Sequence, residues 1–453
     1  MKKRYDRYQD TEIQWMPQIP SHWELNRGKA VFVSKKTINK DARWNNVLSL
    51  TKKGVIRNNV ANPIGLAPKS YDTYQLFEKD DLVFKLIDLE NIATSRVGLV
   101  WEDGIMSPAY IRLKRRSAEG NIKYFYYLYY SWYLQLVYNN LGAGVRQTMT
   151  ADELLNLNIS VPPWEEQDQI VCYLDWKTSE IDRFVHQKKK QIKKLEEYKF
   201  TKIDELITKG TTIHAPMKES GVEWLGQIPE HWDVHTIKQH FKVRKRIAGK
   251  EGYDVLSITQ QGLKVKDISS NEGQMAMDYS GYQFVNPGDY AMNHMDLITG
   301  YVDLSDKFGV TSPDYRVFTL EDTDNCYPEF YLRVFQVAYK RRTFYKFGKG
   351  AANQGRWRLP QRAFYNFSIQ IPPIEEQKAI EMECKRLEKN VDEMIDALKK
   401  EIDLLQELRT KIIADVVTGQ IDVRNVVISE YSRDEDTDSD DIEDDEEIEE
   451  SED

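Results

Sequence analysis

Arginine, lysine, asparagine and glutamine cluster at two pairs of corresponding places in this chain. Lys52, Lys53, Arg57, Asn58 and Asn59 in the first half match Gln260, Gln261, Lys264 and Lys266 in the second. Farther along, Arg146, Gln147 and Thr148 follow the loop Gly142-Ala-Gly, and Lys349, Asn353, Gln354, Arg356 and Arg358 sit beside Gly348 and Gly350. A guanidinium can bond bidentately to O6 and N7 of guanine, and an Asn or Gln amide to N6 and N7 of adenine. A lysine ammonium mostly secures phosphates. Together these residue types can grip and read a DNA groove, and they are the candidate DNA-binding residues.

Competing chemistries lack their residues. Nucleotide hydrolysis through a phosphate-cradling loop needs GxxxxGK[ST], which is absent. Amino-methyl transfer would need an Asn or Asp before a Pro-Pro pair to hold the amine, and neither Pro162-Pro163 nor Pro372-Pro373 has one. His231, His235 and His240 are close in sequence, but their first-half counterparts are His22, Asn26 and Val31, so no metal site shared by the halves is expected. Cys172, Cys326 and Cys384 form no CxxC pair and suggest neither zinc nor a disulfide framework. No catalytic residue is assigned.

The elements that must hold these loops are written twice. Trp15-Met-Pro-Gln-Ile-Pro20-Ser-His22-Trp23 returns as Trp224-Leu-Gly-Gln-Ile-Pro229-Glu-His231-Trp232. Val47-Leu-Ser-Leu-Thr51 returns as Val255-Leu-Ser-Ile-Thr259, and Ser107-Pro-Ala-Tyr110 as Ser312-Pro-Asp-Tyr315. Val161-Pro-Pro-Trp-Glu-Glu-Gln167 returns as Ile371-Pro-Pro-Ile-Glu-Glu-Gln377. The framework repeats while the polar loops differ, as expected if each half reads its own short sequence.

Each half contains short β-type stretches, such as Asp81-Leu-Val-Phe-Lys and Asp289-Tyr-Ala-Met-Asn, and an aromatic-rich core helix. After each Pro-Pro a long helical pattern begins. In the second copy the seam Leu387, Val391, Met394, Leu398, Ile402, Leu405, Leu408 and Ile412 advances by alternating threes and fours, a coiled-coil spacing. The first copy has a weaker seam in Ile170, Leu174, Ile181, Ile192 and Leu195. Glu375 and Glu376 suit a helix N-terminus, and Gly210 and Gly419 suit helix ends. At about 1.5 Å per residue each helix makes a rod of roughly 60 Å.

Chain order then predicts an α+β fold: two homologous mixed α/β domains separated by an antiparallel pair of long coiled-coil helices, pseudo-two-fold and circular in arrangement. The expected segments are domain one at 1–163, a central helix at 164–210, domain two at 211–372, a C-terminal helix at 373–425 and an acidic tail at 426–453. The net charge of −10 resides in that tail, because residues 434–453 hold 15 Asp or Glu and no Lys or Arg. Such a segment cannot bury enough apolar surface to order itself. The body is mildly basic, which is compatible with phosphate binding. The polar start, the lack of an apolar run of about 20 residues and the cysteine usage predict a soluble cytoplasmic protein with no membrane contact.

Ile-Pro-x-His-Trp at the head of each half, Pro-Pro-x-Glu-Glu-Gln before each long helix and Val417-Thr-Gly-Gln-Ile-Asp-Val-Arg424 at the end resemble the specificity subunit of bacterial type I restriction-modification enzymes. The resemblance covers about residues 8 to 425; the first copy's Ile207-Thr-Lys-Gly departs from Val-Thr-Gly, and the acidic tail lies outside the pattern. It implies two target-recognition domains that bind a bipartite site on double-stranded DNA, with the helix pair setting the gap. It also implies docking of two methylation subunits, which use S-adenosylmethionine to modify an adenine, and of restriction (translocase) subunits, which use ATP and Mg2+. Those cofactors would belong to the partners, with none in this chain. Two alternatives stay open: a coiled-coil scaffold without DNA binding, and a stand-alone DNA-modifying enzyme with an unrecognised site.

Overall fold

Apolar alternation in short segments, broken by Gly, Pro and Asn, gives each half of the chain small antiparallel ladders on which one aromatic helix packs. The computed structural model describes residues 3–40, 44–52, 54–59, 70–87, 89, 96–141, 148–212, 214–267, 278–350 and 357–428. They form two compact units, residues 1–190 with 398–453, and residues 191–397.

In unit 1 a four-stranded antiparallel sheet runs in the order Phe32–Val33, Ile111–Arg115, Leu82–Lys85, Arg96–Leu99. Unit 2 repeats it as Phe241–Arg244, Arg316–Leu320, Tyr290–Met292, Val302–Leu304. Each unit adds a hairpin, Leu48–Thr51 with Gly54–Arg57 and Leu256–Thr259 with Gly262–Val265. The strand after each Ile-Pro-x-His-Trp turn pairs with the strand before each Pro-Pro: Glu24–Arg27 with Asn158–Val161, and Asp233–Thr236 with Ser368–Ile371.

The aromatic stretches are helices, α1 (Ile122–Leu134) in unit 1 and a counterpart (Pro328–Lys340) in unit 2. Tyr124, Leu128 and Trp132 of α1 are fully buried, as are Tyr331, Val334 and Phe335 of the counterpart, so these rings are core. Asn121 caps α1 by accepting from the Lys123 amide, and the unit 2 helix starts on Pro328, whose missing N–H costs nothing in a first turn.

The long helices are α2 (Trp164–Lys209) and, with α3 naming Pro328–Lys340, α4 (Ile374–Val417). Each belongs to both units, so the compact units do not end where the helices begin. Ile170, Leu174 and Ile181 of α2 and Ile412, Ile413 and Val416 of α4 lie in the core of unit 1. Ile203 and Ile207 with Ile380 and Cys384 lie in that of unit 2. Within unit 1, Asp182 pairs with Arg409 at 3.2 Å and Lys188 with Glu401, which makes the two helices antiparallel there. Within unit 2, Lys199 pairs with Asp392 at 2.7 Å while Gly210 lies against Glu376, again antiparallel.

Val391 is also buried, and Ile192, Leu195, Leu387, Leu398, Ile402 and Leu405 are half-buried. Met394 and Leu408 depart from the expected seam: they are 56% and 40% exposed. Ile395, 5% exposed, and the half-buried Arg409 take the inward positions instead. A helix of 3.6 residues per turn drifts against a strict 3.5 repeat, and both replacements lie one residue beyond the expected seam position, in the direction of that drift.

Unit 1 is closed by the two ends of the described chain. The Asp422 amide donates to the Lys3 carbonyl at 2.8 Å, and the Tyr8 hydroxyl to the Gly419 carbonyl at 2.8 Å. Arg424 lies 4.7 Å over the Tyr5 ring. Gly419, at φ 72°, ends α4 in the left-handed region, and a Cβ there would stand 2.3 Å from Pro20. Gly210 does the same for α2 at φ 77°, with Trp232 only 3.1 Å from where its Cβ would be. The acidic segment 429–453 lies outside the described residues.

Candidate nucleic-acid interface

The most regular motifs turn out to be stitching. Glu166, nearly buried at the start of α2, accepts the Tyr5 hydroxyl and pairs with His22 Nε2 at 2.8 Å. Glu376 at the start of α4 pairs with His231 Nε2 at 2.8 Å and accepts Trp232 Nε1 at 3.0 Å. The glutamine after it does more. Gln167 donates to the Pro162 carbonyl and accepts the Asn121 amide, both at 2.9 Å. Gln377 donates to the Pro372 and Asn325 carbonyls and accepts the Tyr327 amide, each at 2.7 Å. Pro-Pro-x-Glu-Glu-Gln therefore ties three chain segments together at the root of each long helix.

The Ser-Pro-x-Tyr repeats are held in the same manner. Gln75 donates to the Ser107 and Tyr110 carbonyls at 3.1 and 2.6 Å, and Gln283 to those of Ser312 and Tyr315 at 2.9 and 2.7 Å. Both glutamines are almost wholly buried. They fix the strand that follows, Ile111–Arg115 or Arg316–Leu320.

Among the expected DNA-binding residues, Lys52 and Gln260 and Gln261 occupy the exposed turns of the matching hairpins. Lys264 is exposed and donates to Gln261, Lys266 is half-buried, and Asn59 and Thr148 are exposed. Arg57 makes a fork with Glu102 at 2.5 and 2.6 Å and lies 5.4 Å over Trp101, while Asn58 donates to Ser49 at 2.7 Å. Any base contact by Arg57 must compete with Glu102. Lys53, Arg146, Gln147, Asn353, Gln354 and Arg356 lie outside the described residues.

Lys349 and Arg358 are brought together. Their backbones pair reciprocally, Lys349 N to Arg358 O at 2.8 Å and the reverse at 3.1 Å, leaving both cations exposed. They line a cleft of about 440 Å³ in unit 2 with Lys245, His294 and Arg316. Arg316 is 5% exposed. Its Nη2 donates to the Leu359 carbonyl at 2.7 Å and its guanidinium lies 4.6 Å over the Phe364 ring, with no carboxylate paired to it among the described residues. Burial draws it down to about 10, which leaves it charged at neutral pH.

His294 shares that positive surrounding. Its Nδ1 is buried without a partner among the described residues, and burial, then the charges of Arg316 and Arg358, draw its pKa from 6.5 down to about 3. The folded state thus holds it neutral while the unfolded chain protonates it near 6.5. Its contribution to stability is complete above about 6.5 and is lost as pH falls toward about 3. His294→Leu should flatten the decline of unfolding free energy in that window, measured by urea titration at successive pH values; an unchanged slope would contradict the assignment.

Sequence reasoning did not single out Arg316 and His294. The signal available was the break in an apolar position: where unit 2 has Arg316 opposite Met292, the matching ladder of unit 1 has Ile111 opposite Phe84.

Among the described residues one cluster of metal-ligating types stands apart, His240, Asp322 and Cys326, with ligand atoms within 4.8 Å of one another. His240 Nδ1 is 2.8 Å from Asp322 and 3.5 Å from Cys326 Sγ, and its Nε2 is 2.8 Å from His235 Nδ1. Burial pushes the Cys326 thiol up to about 12, and hydrogen bonds account for the arrangement. Of the three histidines noted in the sequence, His231 is elsewhere, on Glu376. Among the described residues no helix is long and apolar enough to cross a membrane.

Comparison with known proteins places these features. The family model described as type I restriction modification DNA specificity domain matches twice, at residues 20–194 and 229–407. The type I restriction enzyme MjaVIII specificity subunit of Methanocaldococcus jannaschii is 27% identical over 348 residues, 71% of this chain and 76% of that protein. The putative MjaX specificity subunit of the same organism is 27% identical over 295 residues, 62% of this chain and 63% of that protein. A solved chain, described in terms of complex assembly and conformational transition of the type I R-M system, has the same fold. It superposes with a TM-score of 0.58 at 13% identity, over 88% of this chain and 98% of that one.

Proposed function

The chain belongs to the type I restriction modification DNA specificity domain family, and on that premise we propose that it recognises a bipartite DNA site, one unit for each half. The observation that carries this reading is the duplication: two units with the same ladders, the same Gln-held Ser-Pro-x-Tyr turn and the same helix root, but different polar side chains at corresponding loops. A single reader would need no second frame. In this reading the chain is the non-catalytic, DNA-recognising member of a complex. S-adenosylmethionine, ATP and Mg2+ serve the methylation and restriction subunits that dock on it, and α2 and α4, shared by both units, set the gap between the half-sites.

The test is selection from random duplexes by the full-length chain assembled with the methylation subunits of its own system. Two short fixed words separated by a gap of constant length are expected. One uninterrupted word, or no enrichment, would overturn the reading.

A further inference from the structure

The two units differ in charge at one matched place. In unit 2 the residue after the Ser-Pro-x-Tyr turn is Arg316, the residue two past Met292 is His294, and Arg358 precedes Leu359, whose amide donates to the His294 carbonyl at 2.9 Å. In unit 1 the same ladder positions carry Ile111, Leu86 and Thr148, and the Met149 amide bonds to the Leu86 carbonyl at 3.1 Å. The backbone is alike in both; the arginines and the histidine at these three places are present in one alone.

Burying a guanidinium is costly unless the charge is answered. Arg112 of unit 1, also 5% exposed, is answered by Asp81 at 2.6 Å and Glu78 at 3.1 Å. Arg316 has a carbonyl, the Met292 thioether at 3.9 Å and a ring face, all uncharged, and its neighbours Lys245, Lys349 and Arg358 add positive charge at the cleft mouth. Asp289, the carboxylate nearest in sequence to the adjacent strand Tyr290–Met292, is taken by Arg246. The cleft therefore has donors and positive potential with no resident anion among the described residues, while His294 is held neutral and can donate or accept without adding repulsion.

We propose that this cleft of unit 2 seats a backbone phosphate of bound DNA, anchored by Arg316 with Arg358 and Lys349 at its rim, and that the described residues of unit 1 form no equivalent seat. This rests on the DNA-recognition reading above. It means that the salt-sensitive part of DNA binding is unequally shared between the units.

The experiment measures binding of a labelled mixed-sequence duplex by the full-length chain, with its methylation subunits, across a range of KCl concentrations. Each phosphate contact released reduces the slope of log K on log salt by about 0.9. Arg316→Gln and Arg358→Gln should each flatten the slope by about that amount, evenly over sequences, and Arg316→Lys should retain it. Should Arg316→Gln fail to fold, as judged by circular dichroism, Arg358→Gln at the exposed rim carries the test. Unchanged slopes in a wild-type background that binds DNA would overturn this inference alone. Loss of preference at one base position would overturn it in favour of base reading, and loss of slope in Arg316→Lys as well would reduce Arg316 to holding the Leu359 hairpin. Absence of salt-dependent binding by the wild-type complex would instead overturn the DNA-recognition reading itself.

Discussion

Gln377→Met should destabilise the protein by about 4 kcal/mol, the summed loss of one buried backbone bond at about 1–3 kcal/mol and two part-buried ones at about 0.5–1.5 kcal/mol each. Gln377 is fully buried, and methionine matches its length without offering a hydrogen bond. The groups orphaned are the Pro372 and Asn325 carbonyls and the Tyr327 amide, which lie on the strand end before α4 and on the turn that leads into α3. For a unit of this size that loss corresponds to a drop in Tm of roughly 8–16 °C. Its twin gives an internal control: Gln167 makes two such bonds, so Gln167→Met should cost less, about 2–3 kcal/mol. Calorimetry of both variants checks the ranking, and equal shifts would show that the motif's glutamine is not the source of the cohesion.

If the chain reads a bipartite site as proposed, insertion of four residues into both long helices, at Leu195 and at Ile395, should keep both half-sequences and lengthen the gap between them. The positions are chosen because Lys199 and Asp392 pair close by in unit 2, so matched insertions preserve the antiparallel register. Four residues add about 6 Å to each helix, close to two base pairs at about 3.4 Å each. Insertion into one helix alone should abolish selective binding, because it sets the inward stripes out of step. Random-duplex selection reads both outcomes; altered half-sequences with an unchanged gap would refute the ruler.

What could be read from the residues was the frame. Repetition of Ile-Pro-x-His-Trp, Ser-Pro-x-Tyr and Pro-Pro-x-Glu-Glu-Gln marked matching points in two units, because a residue that stitches backbone must recur wherever the backbone recurs. The partners of those residues were not legible: Glu166 meets His22 from far along the chain, and nothing local in either segment announces it. The helical seam was legible in period but not in phase, since Met394 is as apolar as Ile395 and only packing separates them. Loop side chains were the least legible. Lys349 and Arg358 could be picked out as cations near glycines, whereas Arg57 looked equally free and is forked onto Glu102. Arg316 was passed over because it sits inside a strand, where side chains are taken for core.

The discontinuity of unit 1 has a consequence for biosynthesis. Unit 2 is one continuous stretch, 191–397, whereas the core of unit 1 needs Ile412, Val416, Val417 and Val423 from the far end of the chain. A ribosome adding about 5–20 residues per second delivers those side chains long after Trp23 and Trp132 have emerged. The half made first is thus completed last, and it spends translation with an unfilled apolar groove until α4 and the turn after it emerge.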